Sequence, residues 1–182
     1  MSEQHSRGQN DVSVERLHIE LGRMVLPVGL VLDSVRVDAG SARLATDPVS
    51  LVLDHPARYQ TAISEASVVE FVAPRLPDNL REATLSLLPG EILVTGKFRL
   101  LVEIPFRASL ALVVVEQRQL RLDVRSIDVL GTGPAQMVQK RLDAINPVFD
   151  VADVPFPMTI EEALVDSGVL VLRGELRPPI PG

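Results

Sequence analysis

The chain has 182 residues, 46% of them hydrophobic and 23% charged, which sets the expectation of one folded domain with a sizeable core. Aromatic residues make up only 3%, with no Trp and one Tyr, and the formal net charge is −6, so neither a base-stacking platform nor a phosphate-tracking surface is available and nucleic acid is excluded as a partner. The absence of Cys removes disulfides, thiolate zinc sites, iron–sulfur clusters and a Cys nucleophile.

Residues 1–12, MSEQHSRGQNDV, are polar and pattern-free and read as a disordered leader. They lack the basic, apolar and small-residue regions of a secretory signal, and no later stretch approaches the ~18 unbroken apolar residues of a membrane span. The expectation is a cytoplasmic protein, or an envelope-associated one if a signal has been removed. From Val14 the chain alternates, with Leu17, Ile19 and Leu21 opposite Arg16, His18 and Glu20, as in a half-buried strand. Further strands are predicted at Leu30 to Val37, Ala42 to Ala45 and Val49 to Leu53, with turn chemistry at Asp38, Ala39 and Gly40. Between Ala57 and Ala73 the period becomes helical, through Ala62, Ile63, Ala66, Val69, Val72 and Ala73, and Pro74 and Pro77 close the predicted helix.

The central stretch carries the strongest pattern. From Ile92 to Val114 every even position is apolar or glycine, while the odd positions include Thr95, Lys97, Arg99, Glu103, Arg107 and Ser109. Fully extended, residues 91–114 would span about 79 Å at ~3.3 Å per residue. A domain of this size is only roughly 40 Å across, so the segment must turn or bend, with Gly96 and Pro105 as the visible candidates. Only an odd-numbered loop or a bulge, expected near Glu103 to Pro105, keeps the apolar face on the even positions. Leu120, Leu122 and Val124 resume the alternation against Arg121, Asp123 and Arg125. A second helix is predicted after Gly133 and Pro134, with Val138, Leu142 and Ile145 as its stripe and Asn146 and Pro147 as its end. Closing strands are expected at Pro155 to Thr159 and Val169 to Leu176, then an extended tail over 178–182.

Reactive constellations are missing from this sequence, and neither enzymatic activity nor a cofactor is expected. His5, His18 and His55 stand singly, without metal-ligand spacing. No GxSxG elbow occurs, and the neighbouring Glu161 and Glu162 diverge on either a strand or a helix. Gly131-Thr132-Gly133 reads as a turn and helix start, not a phosphate loop. Lys97, Arg99, Arg107, Arg121 and Arg125 share the wet face, where interspersed acids favour a solvated surface over a peripheral membrane contact.

Four segments in this order, TAISEASVVEFVAPRL, GEILVTGKFRLLVEIPFRASLALVVVEQRQLRLDVRSIDVL, QMVQKRLDAINPV and PFPMTIEEALVDSGVLVLRGEL, resemble the bacterial LmeA-type phospholipid-binding family over residues 14–176. The resemblance implies an α+β fold similar to one half of the tubular lipid-binding proteins, a strongly curved antiparallel sheet wrapping one or two helices around a hydrophobic tunnel for acyl chains. Residues 13–177 would form that single domain. A phospholipid or fatty-acyl ligand would then be walled by Ile92, Val94, Phe98, Leu100, Val102, Ile104, Phe106, Leu110, Leu112 and Val114, with Val69, Val72, Val138 and Leu142 as the lid. The alternative expectation is an interaction module that seals the same face by homodimerisation and holds no ligand.

Overall fold

The structure is a computed structural model that describes residues 12–46, 49–99, 101–129 and 135–178; within its strands and helices, the side chains of residues 45, 46, 49, 135, 137, 138, 141 and 142 lie outside the description. The first part of the chain forms β1 (Val12–Val14), β2 (Leu17–Leu21), β3 (Met24–Val25), β4 (Val31–Leu32), β5 (Ser34–Ala39), β6 (Ala42–Thr46), β7 (Val49–Leu53), β8 (Ala57–Ser64) and helix α1 (Glu65–Val72). A meander follows, of β9 (Leu80–Leu88), β10 (Glu91–Arg99), β11 (Glu103–Val115) and β12 (Gln119–Val129), then helix α2 (Ala135–Ala144), β13 (Phe149–Asp150), β14 (Met158–Asp166) and β15 (Val169–Leu176).

These strands make two five-stranded sheets, ordered β14-β15-β8-β5-β2 and β13-β12-β11-β10-β9, beside a three-stranded sheet, β1-β6-β7, and the pair β3-β4. All pairings are antiparallel. The fold is α+β, a strongly curled half-barrel. Strand β14 joins the large sheets by running across the turn end of the meander. The Ile160 N–H donates to the Gln117 carbonyl in the β11–β12 turn (2.8 Å), and the Gly90 N–H in the β9–β10 turn donates to the Val165 carbonyl (2.8 Å).

The even-position apolar face is real, and its turns explain how it survives. Arg99 pairs with Glu103, so three residues separate the paired positions, and an odd number keeps even opposite even: Phe98 with Ile104, Val94 with Ala108, Ile92 with Leu110. The loop lies just before Glu103, slightly earlier than the Glu103 to Pro105 expected. Gly96 marks the bend. The β9–β10 register shifts between Thr95 and Lys97, with Glu82 at φ 48° as the extra residue, and a Cβ on Gly96 would crowd Leu80, Phe106 and the Arg81 carbonyl at 3.1 to 3.2 Å. Pro105 sits opposite Lys97, near the start of β11, and precedes Phe106, the first described β11 residue paired with β12. A second bulge at Arg125 moves the inward face of β12 from Leu120, Leu122 and Val124 to Ile127 and Val129.

Two predicted elements are corrected: the first closing strand, expected at Pro155 to Thr159, runs over Met158–Asp166, and the helix expected from Ala57 starts late. Residues 57–64 are strand β8, not the first half of a helix. Ala57, Tyr59, Thr61 and Ile63 alternate inward, and Ala62, assigned to the helical stripe, lies on the other face of the strand. The helix begins only at Glu65, where the Ser64 hydroxyl accepts the Ser67 N–H (3.3 Å) and the Asp33 carboxylate accepts the Ser64 N–H (2.6 Å). Two further bonds tie α1 to both large sheets: Glu65 N–H to the Gly168 carbonyl (2.9 Å), and the Leu87 N–H to the Glu65 carboxylate (2.8 Å). The predicted leader lies outside the described residues up to residue 11, as do Gly131, Thr132, Gly133, Pro134 and the tail from residue 179.

Candidate functional site

The interior is built on a large shared core, yet it leaves two cavities. The smaller, about 160 Å³, lies between the apolar face of the meander and α1. Ile92, Val94, Phe98, Phe106, Leu110 and Leu112 line it from the sheet, and Val69 and Val72 line it from the helix, as their parity and period predicted. Val68 and Phe71 line it too and are the buried face of α1, whereas Val69 is 39% exposed; the predicted stripe was rotated toward the helix edge. Ile104 and Val114 are half-buried and stand outside the lining. Val102 is corrected: it belongs to the β10–β11 loop and is 67% exposed, because parity selects a face only inside a paired strand. Leu100 lies outside the described residues. Val138 and Leu142 lie on α2, their side chains outside the description, while Ile145, just after α2, reaches the smaller cavity.

The larger cavity, about 510 Å³, was not foreseen. It lies over the other large sheet, lined by Leu17, Ile19, Val35, Val37, Leu172 and Leu176, by Leu51 and Leu53 of β7, and by Pro155, Phe156, Pro157 and Met158. Its size falls in the range of small-molecule sites, roughly 300–1,000 Å³, and the smaller one falls below it. Alternation marked Leu17, Ile19 and Leu21 as inward-facing, but no sequence signal joins residues near 20, 50, 155 and 175 around one space.

Two residues, Leu30 and Phe149, line both cavities and so stand where the two adjoin. Each is held by a short local device. The Leu26 N–H bonds to the Leu30 carbonyl and the Gly29 N–H to the Leu26 carbonyl, both at 2.8 Å, with Gly29 at φ +87°, which a side chain would strain. Arg75 clips this turn to the end of α1 by donating to the Val28 carbonyl (3.0 Å) and to the Phe71 carbonyl, its guanidinium lying 3.7 Å from the centre of the Phe71 ring. Phe149 pairs with Leu120 at the sheet edge. Its neighbour Asp150 accepts hydrogen bonds from Arg118 (2.9 Å), Gln119 (2.8 Å) and the Ala152 N–H (2.9 Å), and these hold its carboxyl down at about 2.

Among the described residues the smaller cavity has no charged side chain in its lining, and the larger has one, Arg177. The polar groups that do face the larger cavity are already engaged. Tyr59 donates to the Thr159 carbonyl (3.0 Å) and Thr61 to the Ser34 carbonyl (2.8 Å), and burial pushes the Tyr59 hydroxyl's pKa upward. Apart from Arg177, the described walls offer mainly hydrocarbon contact.

Outside the cavities, the groups weighed for chemistry sit on the wet surface. Glu161 is the bulge residue of β14 and Glu162 bonds Arg173 (2.8 Å), both exposed. His18 contacts Asp38 at 2.6 Å on the exposed face of β2, and this partner raises its pKa; His55 is exposed after β7. Lys97 pairs with Glu82 (2.6 Å), and Arg107 stands opposite Asp128 in register. No group of three or more His, Cys, Asp or Glu placed to hold a metal occurs among the described residues, and no helix there is long and apolar enough to cross a membrane.

The geometry is that of a curled antiparallel sheet with apolar space on its inner faces and most of its polar groups engaged or at the surface. The model of the LmeA-like phospholipid-binding family matches residues 10–175, nearly the whole chain, and the chain belongs to that family. No curated protein and no solved structure matches it.

Proposed function

We propose that this protein binds a phospholipid or other long-chain lipid without catalysis, and that the larger cavity, rather than the meander face alone, is the principal site. The observation that carries this reading is an apolar void of about 510 Å³ in a chain of a phospholipid-binding family. A hydrocarbon chain laid in a half-open space of that size, walled mainly by Leu, Ile, Val and Met, would bury apolar surface that otherwise faces water. Each buried methylene contributes ~0.8 kcal/mol. The smaller cavity, with the predicted wall of Ile92, Phe98 and Leu110, extends the same hydrocarbon lining.

Exchange with a bilayer would use transient peripheral contact. Leu101 and Val102, at the tip of the β10–β11 hairpin, are exposed by 102% and 67% and suit shallow insertion. Sealing by a second copy is less favoured, because Ile92, Phe98 and Leu110 are only 4%, 3% and 1% exposed within one chain.

Native mass spectrometry of protein purified without detergent should show a co-purified lipid, and a fluorescent fatty acid should be taken up by the delipidated protein. Ile19→Trp, which fills the larger cavity, should abolish uptake; Leu112→Trp, which fills the smaller, should reduce it less. A tight dimer with no lipid and no uptake would refute the proposal in favour of the sealed module.

A further inference from the structure

Among the described residues the two cavities differ in one respect beyond size: a charged residue, Arg177, stands in the lining of the larger and none in that of the smaller. Arg177 follows Leu176, which pairs with Ala57 at the start of β8, while Asp33, close after Leu30, donates to the Ala62 carbonyl near the end of that strand. Five residue steps at ~3.3 Å separate those two levels of β8 by about 17 Å. The larger cavity therefore has a cationic rim at one end and the apolar pair Leu30 and Phe149 at the other. Beyond that pair lies the smaller cavity, with no charged group in its described lining.

A ligand that is polar at one end and hydrocarbon at the other fits this gradient in one direction only. We propose that a phosphate-bearing lipid lies in the larger cavity with its head at Arg177, and that Leu30 and Phe149 are the stop that sets how long an acyl chain is accommodated. The proposal rests on the phospholipid-binding reading above and adds its orientation and its length limit. An arginine at the rim suits a phosphate, to which its planar guanidinium donates two hydrogen bonds while keeping its charge hydrated when the site is empty.

The test uses the full-length, delipidated protein and a ladder of monoalkyl phosphates of increasing chain length, with alkanols of equal length and inorganic phosphate as controls. Wild type should prefer the phosphate over the alkanol by about tenfold at equal length, and Arg177→Gln should bring the two to parity. Phe149→Ala should move the affinity maximum to longer chains by several carbons, and Leu30→Trp should move it to shorter ones. The milder Phe149→Leu gives the same reading if the alanine variant fails to fold. An unchanged chain-length profile in folded Phe149 and Leu30 variants overturns the stop, and an unchanged phosphate preference in Arg177→Gln overturns the orientation; in both cases lipid uptake itself leaves the phospholipid reading standing. Competition by inorganic phosphate without any chain-length dependence would mean a bare anion site and overturn the proposal. If wild type binds neither the alkyl phosphates nor any lipid, the proposal and the reading beneath it fall together.

Discussion

The two large sheets enclose unequal spaces because they are assembled differently. Strands β9 to β12 follow one another as hairpins, and each turn hands the apolar face to the next strand, so the meander closes to a cavity of only about 160 Å³. The other sheet joins β2, β5 and β8 from the first third of the chain to β14 and β15 from the last, and the space over it is about 510 Å³. Long, regularly alternating strands present matching rows that interdigitate. Short strands from distant segments, facing a proline-rich stretch at residues 155–157, leave Leu17, Ile19 and Leu53 only half-buried.

Substitution can break that contrast, and the largest effect is expected in the tight half. Leu110, 1% exposed, should cost about 3 to 4 kcal/mol when changed to Ala, measured by chemical denaturation, because the meander leaves little room to collapse around the lost side chain. In the other sheet, Gly174→Ala should cost about 2 to 3 kcal/mol. Its Cβ would lie 1.9 Å from the Thr159 carbonyl oxygen, and β14 would have to retreat from β15. A cavity-wall residue there should behave differently. Ile19→Ala should cost only about 1 kcal/mol, since Ile19 already borders empty space, but it should weaken lipid uptake more than Leu110→Ala does.

Electrostatic changes should be smaller and carry a definite sign with pH. Asp150 has its carboxyl lowered to about 2 by Arg118, the Ala152 N–H and Gln119, so its contribution is present above its ordinary 3.8 and is lost as pH falls through about 2. Asp150→Asn should therefore destabilise by about 1 kcal/mol at neutral pH, and the gap to wild type should narrow on acidification. His18 works in the opposite sense. Its pKa is raised above 6.5 by Asp38, so its contribution is full below 6.5 and disappears as pH rises through the elevated value. His18→Gln should show the smallest effect of all, confined to that acidic side, and thermal unfolding at several pH values would register it.

The meander was legible in advance because its information is local. Even-position parity placed Ile92, Val94, Phe98, Phe106, Leu110 and Leu112 on one apolar face, and the length limit required the odd connection and the bend that Gly96 provides. Parity misled only at Val102, where pairing stops. Residues 57–64 were misread because Ala, Ile and Ser fit either period. What settles them as strand is their pairing with β15 more than a hundred residues away. The helical stripe erred by one position for a related reason: Val68, Val69, Phe71 and Val72 are all apolar, and only the position of the sheet beneath decides which pair is buried.

Sequence alone therefore determined the composition of the core, the antiparallel class and the identity of the tight apolar face, since these follow from side-chain alternation along continuous strands. The larger cavity, its cationic rim at Arg177 and the placing of Leu30 and Phe149 where the two cavities adjoin were decided by tertiary structure. Their residues come from segments separated by more than a hundred positions, and no local period encodes the gap that remains when such segments meet around a common space.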